Sequence, residues 1–440
     1  MTDGGRRAGR VATGVVGAVV VGVTAALALA TPPRAATTGD DVVAAPADDA
    51  ASTIALPLLV HGPRPDPARA LSTPTARAVD GSPTAATTAT PAVPATPDAP
   101  ASPPPSPPTP ASPPPAPDFA PFGLVRLAPQ RRLDGDGTTI DSLAFWDAPD
   151  PADALLLVTA KGNQRVEVWP APFDGPARPS LRHAAFAAGS QVNGIAIDAV
   201  RSRAYVAVSR PASTVVVFVL PGLAPLGQLV EGRLDLRGEP NLALLARPDG
   251  ARRLYVSADD HVYRLDPESG AVEGEFRPGH ALEAMLADDR DQVLYIPDET
   301  RHTGVHAYDA DGRPYARAGR TGFGDDGVFE ADAEGIAGYA CRGADGADDG
   351  RGWIVVADQR AAATDFEVFD RRSWDHLGRL QLDGVAATDG VASTQQPQPG
   401  YPAGVLAAVH SDTDVALVGW DRVIDAAGLR CDGAPAAARR

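Results

Sequence analysis

The feature of this sequence that most constrains its fold is a paired-strand pattern that occurs six times after Phe119. Each copy has an apolar strand, a short polar turn and a second alternating strand, bounded by Gly, Asp or Pro, which is typical of a β-hairpin. The copies begin at Leu155, Arg203, Arg252, Gln292, Gly352 and Gly404. We find no amphipathic helix pattern in this region. Repeats of about fifty residues, each forming a four-stranded unit that cannot bury its faces alone, predict an all-β, six-bladed β-propeller.

The N-terminal part of the chain has a different character. Val11 to Ala30 is an unbroken run of small and apolar residues behind Arg6, Arg7 and Arg10. This arrangement is typical of an export signal, and a run of about twenty residues is also long enough to remain as a membrane anchor. We therefore expect residues 1–36 to be a signal peptide or a single membrane anchor, and the rest of the chain to be exported to the cell surface or the medium.

Residues 37–118 consist mainly of Ala, Pro, Thr and Ser and end in ASPPPSPPTPASPPPAPD. Such a segment contains too few apolar side chains to offset the entropy lost on ordering, so it predicts a disordered, partly polyproline linker. Residues 119–435 would then form the propeller. Because a closed ring leaves few strand edges exposed, we expect a monomer.

Charge and cysteine content limit the classes of partner. The net charge is −17, and most of the acidic excess follows Asp118. An acidic domain argues against nucleic acid or an anionic membrane surface as the partner. The two cysteines, Cys341 and Cys431, are too far apart for a redox motif, and we predict a structural disulfide between them.

Acidic residues recur at what the pattern predicts to be inner-strand positions, and Gln359 adds a neutral oxygen donor. In a strand, Asp332 and Glu334 would face the same side and repel each other unless a cation lay between them. Radial symmetry would bring the recurring residues to one end of one channel, and oxygen donors without His or Cys favour calcium over zinc or copper. The candidate ligands are Asp141, Glu283, Glu299, Asp332, Glu334, Gln359 and Asp389.

Several of these segments, taken in order, resemble the β-propeller phytases. The resemblance lies in IDSLAFW, in LEAMLADDRDQVLYIPDE, in DAEGIAGYA followed by GRGWIVVADQ, in TDG, and in the closing YPAGVL and VGWDRV. It implies a phosphoric monoester hydrolase that removes phosphates from inositol hexakisphosphate, a phosphorylated small molecule, through a calcium-bound water. The candidate ligands fall on the family's calcium and active-site positions.

The resemblance also implies three catalytic residues, Glu299, Lys161 and Arg210. Lys161, the only lysine in the chain, lies in TAKGNQ, and Arg210 lies in AVSRPAS. Both match family positions that contact the phosphates of the substrate. Bound calcium would make an acidic domain attractive to such an anion.

Other positions depart from the family's pattern. Ser142 replaces an acidic residue, Asn241 a tyrosine, Asp259 a phosphate-binding lysine, and His410 lies where polar or acidic residues are usual. These differences would remove side chains that bind the phosphates of the substrate. They favour weaker binding of phytate, a smaller phosphate ester as the substrate, or loss of turnover. The alternative is therefore a non-catalytic, calcium-stabilised propeller that acts as a tethered binding module.

Overall fold

The computed structural model describes residues 117–135, 139–162, 164–173, 180–186, 188–282, 284–300, 302–325 and 327–431. Their backbone forms short antiparallel strands joined by tight turns, as expected for β-branched residues alternating with polar ones. In chain order the strands are β1 (Leu124–Leu127), β2 (Arg131–Asp134), β3 (Ile140–Trp146), β4 (Leu155–Ala160), β5 (Arg165–Pro170), β6 (Ser180–Ala185), β7 (Gln191–Asp198), β8 (Arg203–Arg210), β9 (Thr214–Val219), β10 (Ala224–Leu229), β11 (Leu242–Ala246), β12 (Arg252–Ala258), β13 (His261–Leu265), β14 (Val272–Phe276), β15 (Leu286–Asp288), β16 (Val293–Pro297), β17 (Val305–Asp309), β18 (Gly322–Phe323), β19 (Asp332–Arg342), β20 (Asp348–Gln359), β21 (Asp365–Asp370), β22 (His376–Leu382), β23 (Val391–Thr394), β24 (Val405–His410) and β25 (Asp414–Gly419). A 3₁₀ turn spans Pro151–Asp153, and the helix α1 spans Trp420–Ala427.

The strands form six sheets, which are the blades of a β-propeller. Blades one to four are β3–β6, β7–β10, β11–β14 and β15–β18, blade five contains β19–β22, and blade six contains β23–β25. The inner strands β3, β7, β11, β15, β19 and β23 each contact the inner strand of the next blade, and β23 contacts β3. The ring is therefore closed.

The beginning of the domain closes the ring at its outer edge. Strand β2 pairs antiparallel with β25 as the outer strand of blade six, and β1 pairs parallel with β22 as a fifth strand of blade five. Arg132 supports this closure, because its guanidinium lies 2.8 Å from the Asp414 carboxylate. The N-terminal segment thus holds two neighbouring blades with two consecutive strands.

Apolar side chains fill the space between neighbouring blades. A separate cluster lies at each interface, from Trp146 and Val206 between blades one and two to Leu133 and Val158 between blades six and one. Each sheet is buried on both faces. This explains why the strands between the inner and outer strand of a blade are nearly continuous runs of apolar residues. The core is thus a ring of interfaces around the axis.

The predicted all-β, six-bladed propeller is confirmed. Two details of the sequence interpretation are wrong. An amphipathic helix does occur in this region, because α1 follows the last hairpin and buries Trp420, Val423 and Ala427 at helical spacing, with Gly428 ending it in the left-handed conformation. Blade five has five strands rather than four.

The predicted disulfide is confirmed, since Cys341 in β19 is bonded to Cys431 beyond α1. It fixes the end of the described chain to blade five. The predicted signal or anchor and nearly all of the predicted linker lie outside the described residues. Within the part of the chain that the structure describes, no helix is both long and apolar enough to cross a membrane.

Candidate functional site

The described candidate residues lie at two kinds of position, and each kind recurs from blade to blade. Asp141, Asp332, Glu334 and Asp389 lie at or just before the beginning of an inner strand, whereas Lys161, Arg210, Glu299 and Gln359 lie at or just after the end of a second strand. The first and second strands of each blade are antiparallel. The beginning of one therefore adjoins the end of the other, and both positions lie at the same end of the ring.

This arrangement corrects the strand assignment of one candidate. Glu299 was predicted on an inner strand, but it follows the second strand β16. Gln359 likewise lies on a second strand, since it ends β20. Antiparallel pairing brings them to the same end, as in the pair formed by Asp332 and Gln359. Glu283 lies outside the described residues.

β-Bulges interrupt the inner strands where the candidate acids lie. The pairing register shifts between Ile140 and Leu143 in β3 and between Ala333 and Ile336 in β19. A bulge adds a residue to one strand and changes the direction of the side chains beside it. The simple alternation that predicted a shared face for Asp332 and Glu334 is therefore broken at Glu334, which is buried.

Glycines bring the acidic segments of successive blades close together. A Cβ atom added at Gly335 would lie 2.6 Å from the Asp389 carbonyl oxygen, and one added at Gly390 would lie 2.0 Å from the Asp141 carbonyl oxygen. Only glycine allows such an approach of two backbones. The acidic segments of blades five, six and one are consequently side by side.

Lys161 lies between two carboxylates. Its Nζ is 2.9 Å from Asp141 Oδ1 and also contacts Glu239, and the Lys161 and Asp141 side chains are only 12% and 10% exposed. Burial alone would lower the pKa of Lys161, but Asp141 and Glu239 outweigh it and raise that pKa. Burial raises the pKa of Asp141, and the Lys161 ammonium opposes this effect. The lysine is thus a charged partner of the candidate metal ligand Asp141.

Two of the departures from the phytase pattern contact each other across the channel mouth. Asn241 Nδ2 in blade three donates to Ser142 Oγ in blade one at 3.3 Å. Ser142 Oγ in turn donates to Asp141 Oδ2 at 3.1 Å. A hydrogen bond between blades that are not neighbours shows how narrow the mouth is. The two smaller residues form a polar bridge that ends at Asp141.

Asp389 is the centre of a second group of oxygen atoms. Gln359 Nε2 donates to Asp389 Oδ1. Burial raises the pKa of Asp389 to about 7, with further contributions from a hydrogen bond to Asp412 and from the charges of Asp412 and Asp141. Two carboxyl groups can share a hydrogen bond only when one of them is protonated. Without a cation, Asp389 is therefore partly protonated near neutral pH.

Glu299 is placed similarly in blade four. Burial and, to a smaller extent, the negative charges of Glu239, Asp298 and Asp332 together raise its pKa to about 7. Its Oε1 atom is buried and has no hydrogen-bond partner among the described residues. A buried carboxylate oxygen without a donor is costly. The environment of Glu299 therefore favours either protonation or a cation.

The remaining candidates lie nearer the rim. Arg210 ends β8 and is exposed. Asp259 follows β12, and its Oδ1 lies 2.5 Å from the position of a Cβ added at Gly238, next to Glu239. The His410 ring hydrogen-bonds to the backbone of Ala386, ahead of β23. His410 thus supports the connection that leads to Asp389.

Below the polar mouth, the inner strands enclose a cavity of about 320 Å³. Its walls include the polar Asp141 and Asp389, together with apolar residues such as Ile195, Met285 and Ile336. The lining is thus mixed, since Ser142, Asn241 and Ser393 also line the cavity. The charged candidate residues lie at one end of it.

A different acidic group has the closest ligand atoms in the described part of the chain. One carboxylate oxygen from each of Asp358, Asp365 and Glu367 lies within 4.8 Å of the others. These carboxylates already face cations, since Arg360 contacts Asp358 and Asp365, and Arg379 contacts Glu367. The group is a buried ion-pair network of blade five. The described candidate ligands form no group of three acids this close.

Two residues at the mouth were missed in the sequence. Glu239 lies in the connection from β10 to β11, and Asp412 lies in the turn between β24 and β25. Asp412 and its neighbour Ser411 both have positive φ, 59° and 44°. The acid-rich turn SDTD, which follows a second strand, is the sequence feature that indicates Asp412. For Glu239 the signal was its position before the inner strand of blade three.

The donor set at the mouth fits a hard divalent cation. The oxygens come from Asp141, Glu239, Glu299, Asp332 and Asp389, and such ligands suit calcium. Glu299 Oε1, which has no hydrogen-bond partner in the described part of the chain, and the raised pKa of Asp389 indicate more negative charge than Lys161 compensates. A calcium ion would supply the missing positive charge.

Comparisons with known proteins add a fold likeness only. No family model matches the chain. No curated protein matches it. Among solved structures, the chain is similar to one described as BBS1N in complex with ARL6DN, soaked with mercury, with 11% sequence identity, coverage of 60% of this chain and 73% of that chain, and a TM-score of 0.39. A likeness at this level carries no argument about function.

Proposed function

We propose that this protein is an exported, calcium-dependent phosphohydrolase of the β-propeller phytase type, acting on phosphate monoesters such as inositol hexakisphosphate. The observation that supports it best is the convergence of carboxylates from different blades at one end of the ring. Two of them, Glu299 and Asp389, have a pKa of about 7 when no cation is present. Perturbed carboxyl groups at the mouth of a cavity are typical of functional sites.

Asp141, Glu299, Asp332 and Asp389 would hold calcium, with Gln359 and Glu334 beside them. When bound, calcium would neutralise the charge of phosphate oxygens and make a water molecule more acidic.

Positively charged side chains at the same end would orient the substrate. Arg210 is exposed at the end of β8, where its planar guanidinium can bind two phosphate oxygens at once. Lys161 would contribute a point charge once its carboxylate partners are otherwise compensated. The departures at Asn241 and Asp259 remove two further contacts, so we expect weaker binding of a hexakisphosphate than of a smaller phosphate ester.

One observation favours the alternative of a non-catalytic binding module. Lys161 is held by Asp141 and Glu239 rather than facing the cavity. In that case calcium would only join the blades, and the tethered propeller would bind a surface polymer or a protein. Both functions use the same residues, but only the phosphohydrolase would release phosphate from its ligand.

Phosphate release separates the two functions. The full chain is incubated with inositol hexakisphosphate, or with a simple phosphate monoester, in the presence of calcium or a chelator. We expect release that requires calcium and that falls about a hundredfold or more in Glu299→Gln, because a ligand carboxylate is lost. The matched control is Glu275→Gln, an exposed residue of the outer strand β14. Equal background release by all three proteins would favour the binding module.

A further inference from the structure

Lys161 makes a link that the phytase resemblance does not include. It follows β4 in blade one, whereas Glu239 belongs to the connection between blades two and three. Its ammonium contacts that glutamate and lies 2.9 Å from Asp141 Oδ1. The only lysine of the chain thus spans the mouth of the channel and occupies the space between two oxygen donors.

We propose that Lys161 is an internal cation that a divalent metal ion displaces, so that metal binding frees the ammonium for a phosphate group. The inference rests on the proposed function for the identity of the anion, but the exchange itself concerns only residues of this chain. It predicts an order of binding. Metal comes first, and the phosphorylated ligand follows.

The charges at the mouth favour the exchange. Asp141 is buried and needs a compensating charge, because an uncompensated buried carboxylate is strongly destabilising. The ammonium brings one positive charge, whereas Glu299, Asp332 and Asp389 also surround the mouth. A divalent ion brings two charges and accepts oxygen ligands from several blades at once. Asp141 can therefore pass from Lys161 to the metal without losing its compensation.

The second contact of Lys161 is easily broken. The Glu239 side chain is 38% exposed, so solvent screens its attraction for the ammonium. Lysine also has a long flexible stem, which allows the ammonium to move while the backbone stays in place. Both carboxylates, Asp141 and Glu239, would then be available as ligands.

The single lysine allows a direct test. The full chain is treated with an amine-acylating reagent in calcium or in chelator, and modification of the peptide containing Lys161 is followed by mass spectrometry. We expect calcium to raise the rate about tenfold or more, because a part-buried ion pair protects the amine by at least that factor. An unchanged or lower rate in a protein that binds calcium by calorimetry would overturn the exchange, as would the absence of calcium binding.

A reference lysine controls for effects of calcium on the reagent. Arg313→Lys places an amine at a position that is 73% exposed in the turn after β17. Its acylation rate should be the same with calcium and with chelator. A parallel rise at both lysines would mean that the reagent, not the site, had responded, and this would count against the exchange.

Two variants test the exchange from the side of the protein. Glu239→Gln should raise the acylation rate of Lys161 in chelator, because one of its two partners loses its charge. Lys161→Met should bind calcium about tenfold more tightly, since the competing cation is gone. Weaker calcium binding by Lys161→Met would refute the proposal.

The result of the acylation experiment is independent of the phosphate-release experiment. A protein that exposes Lys161 in calcium but releases no phosphate would retain the exchange and lose the enzymatic function. A protein that hydrolyses phosphate esters while Lys161 stays protected would retain the function and lose the exchange.

Discussion

Gly390 and Asp141 touch through their backbones, so that the inner strands of blades six and one approach more closely than any other residue at position 390 would allow. A Cβ atom at that position would lie 2.0 Å from the Asp141 carbonyl oxygen. The contact sets the distance between the segment that carries Asp389 and the segment that carries Asp141. It therefore fixes the spacing of two candidate ligands from different ends of the sequence.

Gly390→Ala is expected to destabilise the domain by about 1–3 kcal/mol, because the added methyl group forces two backbones apart. It should also weaken calcium binding, since Asp141 and Asp389 separate. The measurement is urea unfolding in chelator together with calcium calorimetry.

The matched control is Gly222→Ala, a position with no atom within 4 Å of the added Cβ. This substitution should change stability by less than about 0.5 kcal/mol. Equal effects at the two glycines would show that the approach of Gly390 to Asp141 does not hold in solution.

In chelator, the stability of the domain should fall as pH rises through the neutral range. Glu299 and Asp389 each have a pKa of about 7 in the fold, and carboxyl groups of unfolded chains ionise near pH 4. Between about pH 4 and pH 7 the folded state therefore binds more protons, so their contribution to stability is present at low pH and is lost as pH approaches 7. Thermal unfolding at several pH values measures this effect.

Calcium should remove this dependence, because a cation stabilises the ionised carboxylates and binds only the folded protein. Glu299→Gln, which cannot ionise at this position, should lose less stability over the same pH range in chelator than the unaltered protein. If the two proteins lose the same stability, the burial and charge around Glu299 do not raise its pKa.

The blades could be predicted from the sequence because each hairpin carries its own alternation and its own turn residues. Equivalent positions in successive hairpins necessarily converge in a closed ring, which is why Asp141 and Asp389 could be assigned to one end before any coordinates were known. The helix α1 was missed because its eight residues follow directly on a strand, within one continuous pattern. Its signal was the spacing of Trp420, Val423 and Ala427.

The details of the mouth depend on features that a periodic pattern does not contain. A bulge at Glu334 changes the direction of side chains without changing the composition of the strand. Glu239 and Asp412 lie in a connection and a turn, where the alternation of a strand does not apply. The pairing of Lys161 with Glu239 joins residues separated by 78 positions in sequence, and only the closed ring brings them together.

The acidic group in blade five should behave differently from the channel mouth. Asp365 lies 3.0 Å from Arg360 and 3.1 Å from Arg379, and it is almost fully buried. Asp365→Asn should lower stability by about 1–3 kcal/mol, less than for a fully buried pair because both arginines are partly exposed. Its calcium affinity should equal that of the unaltered protein, whereas Glu299→Gln should bind calcium more weakly. Loss of calcium binding in Asp365→Asn would place the metal in blade five instead.

The closure of the ring depends on β2, and this makes a single leucine of the N-terminal segment important. Leu133 is 2% exposed and pairs with Val415 of β25, within the apolar cluster between blades six and one. Leu133→Ala should cost about 2–5 kcal/mol, since it leaves a cavity where β2 completes blade six.

The chain offers a matched Leu→Ala substitution on an outer strand that does not close the ring. Leu226 in β10 is 55% exposed, and Leu226→Ala should cost less than about 0.5 kcal/mol. Urea unfolding of both variants in chelator gives the comparison. A small effect at Leu133 would mean that blade six is stable without its outer strand. In that case the ring would be held by the inner strands, and the contact of Gly390 with Asp141 would be the feature that closes it.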